Sequence, residues 1–114
     1  MVVVTVGARG SGAEALDLRA ARILEVTAFP EARRPAWKLT LDLGPLGTAQ
    51  TSAQITRYSP DELTGRLVVA AVNLGTKRIA VYLSECLVPA AVDSDGEPHL
   101  LAVDPGAAPG DHIA

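Results

Sequence analysis

Basic side chains stand in two short stretches where their spacing suits the binding of phosphate groups. Lys77-Arg78 lies between the turn "NLGT" and the apolar run "IAVYL", and Arg33 lies in the loop "FPEARRP", shortly before Lys38. Cations on loops and strands can follow the phosphates of a nucleic acid, and nearby hydroxyl and amide groups can hydrogen-bond to its bases. The residues alone leave two hypotheses open: a nucleic-acid-binding groove, or an ordinary β-hairpin whose charged side chains are exposed to solvent.

The side chains that most often perform catalysis are few and far apart. His99 and His112 both lie in the acidic C-terminal part of the chain, and neither belongs to a triad motif. Cys86 is the single cysteine and lies in an apolar run, which favours a buried and unreactive thiol. One cysteine and two distant histidines do not have the spacing of a zinc site. The sequence therefore predicts no catalytic residue, no metal site and no cofactor.

A glycine-rich stretch near the start is the alternative with a nucleotide-binding pattern. Residues 2–24 read as a strand, a loop containing Gly7, Gly10 and Gly12, and a helix. No Gly-Lys-Ser/Thr follows these glycines, and their spacing is the reverse of the dinucleotide fingerprint. We therefore interpret residues 1–15 as an N-terminal arm.

The distribution of charge favours one local binding face. The chain of 114 residues is 48% apolar, which is enough for one small domain, and its net charge is −3. Residues 19–78 have nine basic and five acidic side chains, whereas residues 79–114 have six acidic side chains and no Lys or Arg. Because the net charge is negative, binding of nucleic acid by bulk charge is disfavoured, and the basic part of the chain is the expected binding face. The single cysteine fits a cytoplasmic protein, no secretory signal pattern is present, and no apolar stretch is long enough for membrane insertion.

Short strands joined by tight turns are predicted for most of the chain. The segment "WKLTLDL" (residues 37–43) alternates apolar and polar residues, which is typical of a half-buried strand. Ser59, Pro60 and Glu62 form the pattern of a capped helix start, and Gly65 predicts its end. Further strands are predicted over "VVVTV", "ILEVTA", "TAQTSAQI", "RLVVAAVN", "KRIAVYLS", "CLVPAAV" and "HLLAV".

This order of elements is typical of a small closed β-barrel, in which closure removes exposed strand edges. The predicted fold class is all-β. We expect a five-stranded OB-fold barrel with a short helix between strands 3 and 4 and extra terminal segments.

Three segments, in sequence order, resemble the CsaA family. They are "LDLRAARILEVTAFPEARRPAWKLTLDLG", "TSAQITRYSPDELTGRLVVAAVNL" and "KRIAVYLSECLV". The combination of "FPEAR", "SAQI" and "RIA…SE" is specific to this branch of the tRNA-binding-domain superfamily, which is also similar to the tRNA-binding domain of methionyl-tRNA synthetase. The resemblance extends from about Leu16 to Val103, and the closing Pro-Gly tail is also similar.

The resemblance implies a non-catalytic tRNA-binding OB-fold homodimer. Residues 16–114 would form the binding domain, with a C-terminal dimerisation extension. The alternative function that it implies is an export-related chaperone that binds unfolded segments of preproteins. Position in the family pattern implies tRNA contacts by seven residues, to which the basic clusters add Arg33 and Lys38. The expected tRNA-binding residues are Arg33, Lys38, Ser52, Gln54, Asn73, Lys77, Arg78, Ser84 and Glu85.

Overall fold

The computed structural model describes residues 15–114, and most of the regular structure there is β-strand. The elements are β1 Leu18–Ala28, β2 Trp37–Asp42, a 3-10 helix Gly44–Leu46, β3 Thr48–Ala53, α1 Pro60–Leu63, β4 Leu67–Ala71, β5 Lys77–Ile79, β6 Tyr82–Ser84, β7 Ala90–Val92 and β8 Pro98–Leu100. Four strands form an antiparallel sheet in the order β3-β2-β1-β4, and two hairpins, β5-β6 and β7-β8, form separate small sheets. The all-β prediction is confirmed. The predicted strand "VVVTV" and the glycine loop lie outside the described residues.

Strand β1 joins both halves of the main sheet. It pairs with β4 from Leu18 to Arg22, and with β2 from Arg22 to Ala28. The register with β2 shifts between Ile23 and Glu25, which marks a β-bulge. Because a bulge bends a strand and increases its twist, β1 can curve the sheet around its own apolar face.

Alternating side chains of these strands fill one apolar core. In β2, Leu39 and Leu41 are buried, whereas the alternate residues Lys38 and Thr40 are only partly covered, as a two-residue period requires. Strand β4 is buried along its whole length. The core consists of Ala21, Ile23, Leu39, Leu41, Leu43, Ala53, Ile55, Leu63, Val68, Ala70, Cys86 and Val88.

The predicted helix forms as a single short turn, α1, between β3 and β4. The Ser59 hydroxyl accepts a hydrogen bond from the Glu62 backbone N–H at 3.1 Å, and the Glu62 carboxylate accepts one from the Ser59 N–H at 2.8 Å. Hydrogen bonding from the Ser59 backbone is the main cause that lowers the pKa of Glu62. Leu63 is fully buried and anchors the turn in the core. The capping box predicted from the sequence is confirmed.

The strand predicted over "KRIAVYLS" is a hairpin. Strand β5 turns at Ala80 and Val81 into β6, so that Ile79 pairs with Tyr82. Ala80 has a φ of +54° and is the only non-glycine residue with positive φ among residues 15–114. A two-residue loop in which the first residue has a positive φ and the second does not is the type II′ arrangement, which ordinarily has glycine at the first position. Because an apolar run without glycine or asparagine has no turn signal, the sequence pattern predicted one strand.

Closure of the barrel also needs correction, because the main sheet does not close into a continuous ladder within the described residues. The chain after β6 crosses the gap between β3 and β4. Leu87 exchanges two backbone hydrogen bonds with Ala71 of β4, at 2.7 and 3.1 Å. On the β3 side, the one backbone–backbone hydrogen bond among the described residues joins the Glu85 N–H to the Gln50 carbonyl at 2.9 Å.

Side chains interrupt the ladder between β3 and β6. The Ser52 N–H donates to the Ser84 hydroxyl at 3.1 Å, and the Gln50 N–H donates to the Glu85 carboxylate at 2.9 Å. These side-chain oxygens stand where backbone carbonyls would stand in a ladder. The fold is therefore OB-like with a partly open barrel.

The C-terminal segment lies along the part of β1 that β2 leaves free. The Ala20 N–H donates to the Asp111 carbonyl, the Gly110 N–H to the Ala20 carbonyl, and the Ile113 N–H to the Leu18 carbonyl, each at 2.8 Å. These bonds satisfy an otherwise open strand edge. The tail is thus part of the folded domain.

Candidate nucleic-acid interface

Four cations surround a recess between β5 and the loop that joins β1 to β2. Arg33 and Arg34 belong to that loop, and Lys77 and Arg78 belong to β5. The recess has a volume of about 550 Å³. We call it the basic recess; its lining also includes Glu31, Ala32, Ala36, Ser52, Gln54, Ile79 and Ala80.

The positive charge of the basic recess is not neutralised by its surroundings. Among the described residues that line it, Glu31 has the only carboxylate. All four cations are exposed, and none makes an ion pair within residues 15–114. When such exposed cations neutralise phosphates, the counterions condensed on the nucleic acid are released, and this release drives binding.

The loop that contains Arg33 and Arg34 is held in shape by local geometry. Pro30 and Pro35 flank it, and each proline fixes its own backbone φ. The Ala32 N–H donates to the Phe29 carbonyl at 3.2 Å, which closes a turn. Because this backbone is already ordered, its arginines lose less conformational entropy when they bind an anion.

Lys38 lies against an aromatic pair and does not line the basic recess. Its Nζ is 4.9 Å from the ring centroid of Phe29 and 5.2 Å from that of Tyr82. The two rings are 5.3 Å apart and tilted by 59°, and Phe29 is buried. Cation–π attraction therefore positions the ammonium group, and neither ring belongs to the lining of the basic recess. Burial raises the pKa of Tyr82 to about 12, so its neutral hydroxyl donates to the Thr51 carbonyl at 3.2 Å.

Ser84 is buried beneath the interface and bonds to protein groups. Its Oγ lies 2.9 Å from the Thr51 Oγ1 and accepts the Ser52 N–H. The Thr51 hydroxyl donates to the Cys86 carbonyl at 2.6 Å. Thr51 is 0% and Ser84 7% exposed. Since Ser84 pairs with Lys77 in the β5-β6 register, this buried cluster fixes the strand that presents Lys77.

We expect Ser84→Ala to lower the free energy of unfolding by about 1–3 kcal/mol, because the Ser52 N–H and Thr51 hydroxyl lose a buried partner. Affinity for tRNA, measured well below the melting temperature, should stay close to that of the parent. Urea unfolding and fluorescence anisotropy measure the two effects. Ser52→Ala is the matched control, since its side chain lines the basic recess and its loss should affect affinity and not stability. Reduced affinity of Ser84→Ala without a stability change would show that Ser84 contacts the RNA.

Glu85 stabilises the edge of β3. One of its carboxylate oxygens accepts the Gln50 N–H, while its own N–H donates to the Gln50 carbonyl, both at 2.9 Å. The Gln50 side-chain amide donates to the Leu83 carbonyl at 2.7 Å. Glu85 therefore completes a strand-like pair of hydrogen bonds with β3, and it lies outside the lining of the basic recess.

Asn73, which follows β4, hydrogen-bonds to the first residues of the described chain. Its Oδ1 accepts the Asp17 N–H and its Nδ2 donates to the Ala15 carbonyl, both at 2.8 Å. Donor and acceptor of the side-chain amide are thus both used within the protein. The role visible here is structural.

A second depression, which we call the apolar cleft, adjoins the basic recess. Its volume is about 680 Å³, and most of its lining is apolar, including Ile55, Val88, Val92 and Leu101. Cys86 also lines it. Four residues border both the apolar cleft and the basic recess: Ser52, Gln54, Lys77 and Ile79.

The basic recess brings together five of the nine predicted tRNA-binding residues, namely Arg33, Ser52, Gln54, Lys77 and Arg78. The other four lie outside its lining and contact protein groups: Lys38, Asn73, Ser84 and Glu85. Arg34, the neighbour of Arg33 in the loop "EARRP", also lines the basic recess. Thr51 and Gln50, which hold β6 in place, had no signal, because their partners lie more than thirty residues away in sequence.

The histidines make surface contacts outside the basic recess. His99 Nε2 lies 2.8 Å from Asp93 Oδ2, and His112 Nε2 lies 3.8 Å from Asp17 Oδ1. Within residues 15–114 no group of three or more His, Cys, Asp or Glu side chains is arranged to hold a metal ion. That part of the chain also has no helix with the length and apolarity needed to cross a membrane.

Known proteins share both the sequence pattern and the fold. Residues 18–112 match the family model described as "Putative tRNA binding domain". The chain belongs to this tRNA-binding-domain family. The crystal structure of the CsaA chaperone protein from Picrophilus torridus is 41% identical to this tRNA-binding domain, with a TM-score of 0.85 over 98% of this chain and 100% of that chain. The CsaA chaperone from Bacillus anthracis is 38% identical, with a TM-score of 0.84 over 99% and 100% of the two chains. The predicted resemblance to CsaA is confirmed.

Synthetase relatives extend the comparison. The methionine–tRNA ligase of Rhodopirellula baltica is 42% identical over 99 residues, which are 86% of this tRNA-binding domain and 14% of the ligase. The chain thus spans only a small part of the curated relatives that it matches. A methionyl-tRNA-synthetase-related protein from Pyrococcus horikoshii, at 19% identity and a TM-score of 0.81, shows the shared fold.

Proposed function

We propose that this domain binds tRNA without catalysis, through the basic recess. The observation that carries the proposal is the group of four exposed cations without ion-pair partners in residues 15–114, placed around one recess of a tRNA-binding-domain fold. Ser52 and Gln54 on the same wall can hydrogen-bond to bases or ribose. Because no aromatic side chain is among the described residues that line the basic recess, phosphate and shape contacts supply most of the affinity.

The test is fluorescence anisotropy of labelled, unfractionated tRNA with the full chain, repeated from about 50 to 200 mM salt. If the four cations neutralise four phosphates, the logarithm of the association constant should fall with the logarithm of salt concentration with a slope of about −3. Single-stranded poly(A) is the control for non-specific polyanion binding and should bind more weakly. Absence of saturable tRNA binding at the lowest salt would overturn the proposal.

The proposed assembly is a cytoplasmic homodimer, which would present two basic recesses to one folded RNA. The CsaA resemblance over the whole described domain supports it. Sedimentation analysis should give twice the chain mass of 11.8 kDa. A monomer at micromolar concentration would contradict this part of the proposal.

A second candidate function, export-related chaperone activity on unfolded preprotein segments, is favoured by the apolar cleft. Leu74, Val92 and Leu101 line the cleft and are 47%, 60% and 41% exposed, respectively. Exposed apolar side chains grouped in one cleft are typical of a binding site for apolar ligands. Binding of this kind depends on area removed from water and should largely resist salt, in contrast to tRNA binding.

Cys86 provides a reporter inside the apolar cleft. Burial raises the pKa of its thiol to about 11, so at neutral pH almost none of it is the reactive thiolate. We expect its modification by Ellman's reagent to accelerate about tenfold for each pH unit from pH 7 towards pH 10, because the thiolate fraction rises by that factor below the pKa. A bound apolar peptide should slow the reaction by covering the thiol. A rate that levels off near pH 9 would contradict the buried environment, and Cys86→Ser is the blank.

A further inference from the structure

The wall that the two depressions share determines what a ligand of either one must contact. Ser52, Gln54, Lys77 and Ile79 border both. Lys77 is the only charged side chain among the described residues that line the apolar cleft. A chain seated in the cleft and leaving it past Lys77 would therefore enter the basic recess.

We propose that the apolar cleft and the basic recess form one composite groove for an extended polypeptide whose apolar residues are followed by acidic residues. Such a peptide and tRNA exclude each other. This inference rests on the proposed function, since tRNA is taken to occupy the basic recess.

The apolar part of the ligand follows from the lining of the cleft. A volume of about 680 Å³ lies within the range of small-molecule pockets and accommodates several aliphatic side chains. Val92 and Leu101 leave much of their surface in water, so covering them with an apolar segment is favourable by about 25 cal/mol for each Å² buried.

The acidic part follows from the charges beyond Lys77. Arg33, Arg34 and Arg78 complete the basic recess, against the single described carboxylate of Glu31. Guanidinium groups bind carboxylates and phosphates in the same two-pronged geometry. A peptide with a basic flank would meet like charges and be rejected. Because the same cations would neutralise either the carboxylates or the phosphates, binding of one ligand removes the site of the other.

The experiment uses three fluorescent peptides with one common apolar segment of Leu, Val and Ala. The segment is followed by aspartates, by lysines or by serines. Each peptide has roughly ten residues, which span about 33 Å when extended, comparable with the 40 × 30 × 29 Å extents of the domain. Anisotropy with the full chain should show the aspartate peptide binding at least about tenfold more tightly than the lysine peptide at low salt. Unlabelled aspartate peptide should raise the apparent Kd of labelled tRNA in proportion to its concentration.

Variants separate the two parts of the groove. Lys77→Gln should weaken binding of both tRNA and the aspartate peptide, whereas Arg66→Gln, which removes the same charge outside both linings, should weaken neither. Val92→Asp should abolish binding of the peptide, so that tRNA stays bound at peptide concentrations that displace it from the parent. Leu24→Asp is the matched control, because Leu24 is 45% exposed and lines neither depression. Thermal melting of every variant confirms that it is folded.

Three outcomes decide the matter against the composite groove: no peptide binding, equal affinity for the aspartate and lysine peptides, or peptide binding that leaves tRNA affinity unchanged. The failure of the proposed function looks different. If tRNA does not bind at all, that function is overturned, while a preference for the aspartate peptide that is lost in Lys77→Gln still supports the groove.

Discussion

Replacing both Lys77 and Arg78 by alanine should weaken tRNA binding by about 10- to 100-fold at low salt, because two of the four recess cations are lost. Both side chains are exposed on β5 and make no ion pair within residues 15–114, so their removal breaks no such contact there. The slope of the logarithm of affinity against the logarithm of salt should become shallower by about 1.5 to 2, one step for each lost phosphate contact. Anisotropy titrations at several salt concentrations measure both quantities.

The matched control is the double variant Arg57→Ala, Arg66→Ala. Both arginines lie about 5 Å from the ring of Tyr58 and outside the basic recess, and their loss changes the net charge by the same amount. We expect it to retain most of the tRNA affinity. Equal weakening by the two double variants would mean that net charge, and not the basic recess, determines binding.

Gly110→Ala should lower the free energy of unfolding by about 2–5 kcal/mol, because strain and steric overlap add. Gly110 has a φ of +90°, and a Cβ placed on it would overlap the carbonyl oxygen of Leu43 and lie 3.0 Å from Pro45 Cδ. A Cβ placed on Gly44, in turn, would overlap the carbonyl oxygen of Pro109 in the C-terminal segment. The two glycines thus allow the C-terminal segment to pack against the turn that follows β2. Urea unfolding measures the loss.

Gly96→Ala separates the two contributions to this loss. Gly96 has a φ of +83° but no heavy atom within 4 Å of a built Cβ, so its replacement should cost only the strain of about 1–2 kcal/mol. Hydrogen exchange at the Ala20 and Ile113 amides, which form hydrogen bonds between β1 and the tail, should accelerate in Gly110→Ala alone. Equal destabilisation by the two variants would show that the packing of the tail contributes nothing.

Elements with local signals were predicted well. The alternation of residues 37–43 matches β2, and Ser59 and Glu62 form the capping box at the start of α1. Residues 18–22 had helical propensity but form the first half of β1, because pairing with β4 outweighs a weak local preference. The turn at Ala80 was missed for the opposite reason, since the tertiary structure imposes a positive φ on a residue that does not favour it.

By itself, the sequence determined the all-β class, the family, and the segregation of positive charge into the part of the chain that contains both halves of the basic recess. These properties depend on neighbours within a few residues or on a pattern shared along the whole chain. The tertiary structure alone decided which polar side chains form hydrogen bonds within the protein. Ser84, Glu85 and Asn73 bond to groups 32 to 58 residues away, and a separation of that kind leaves no local pattern. The tertiary structure also placed Lys77 on the wall common to the basic recess and the apolar cleft. Only folding brings the loop before β2, strand β5 and the segment after β6 to one surface.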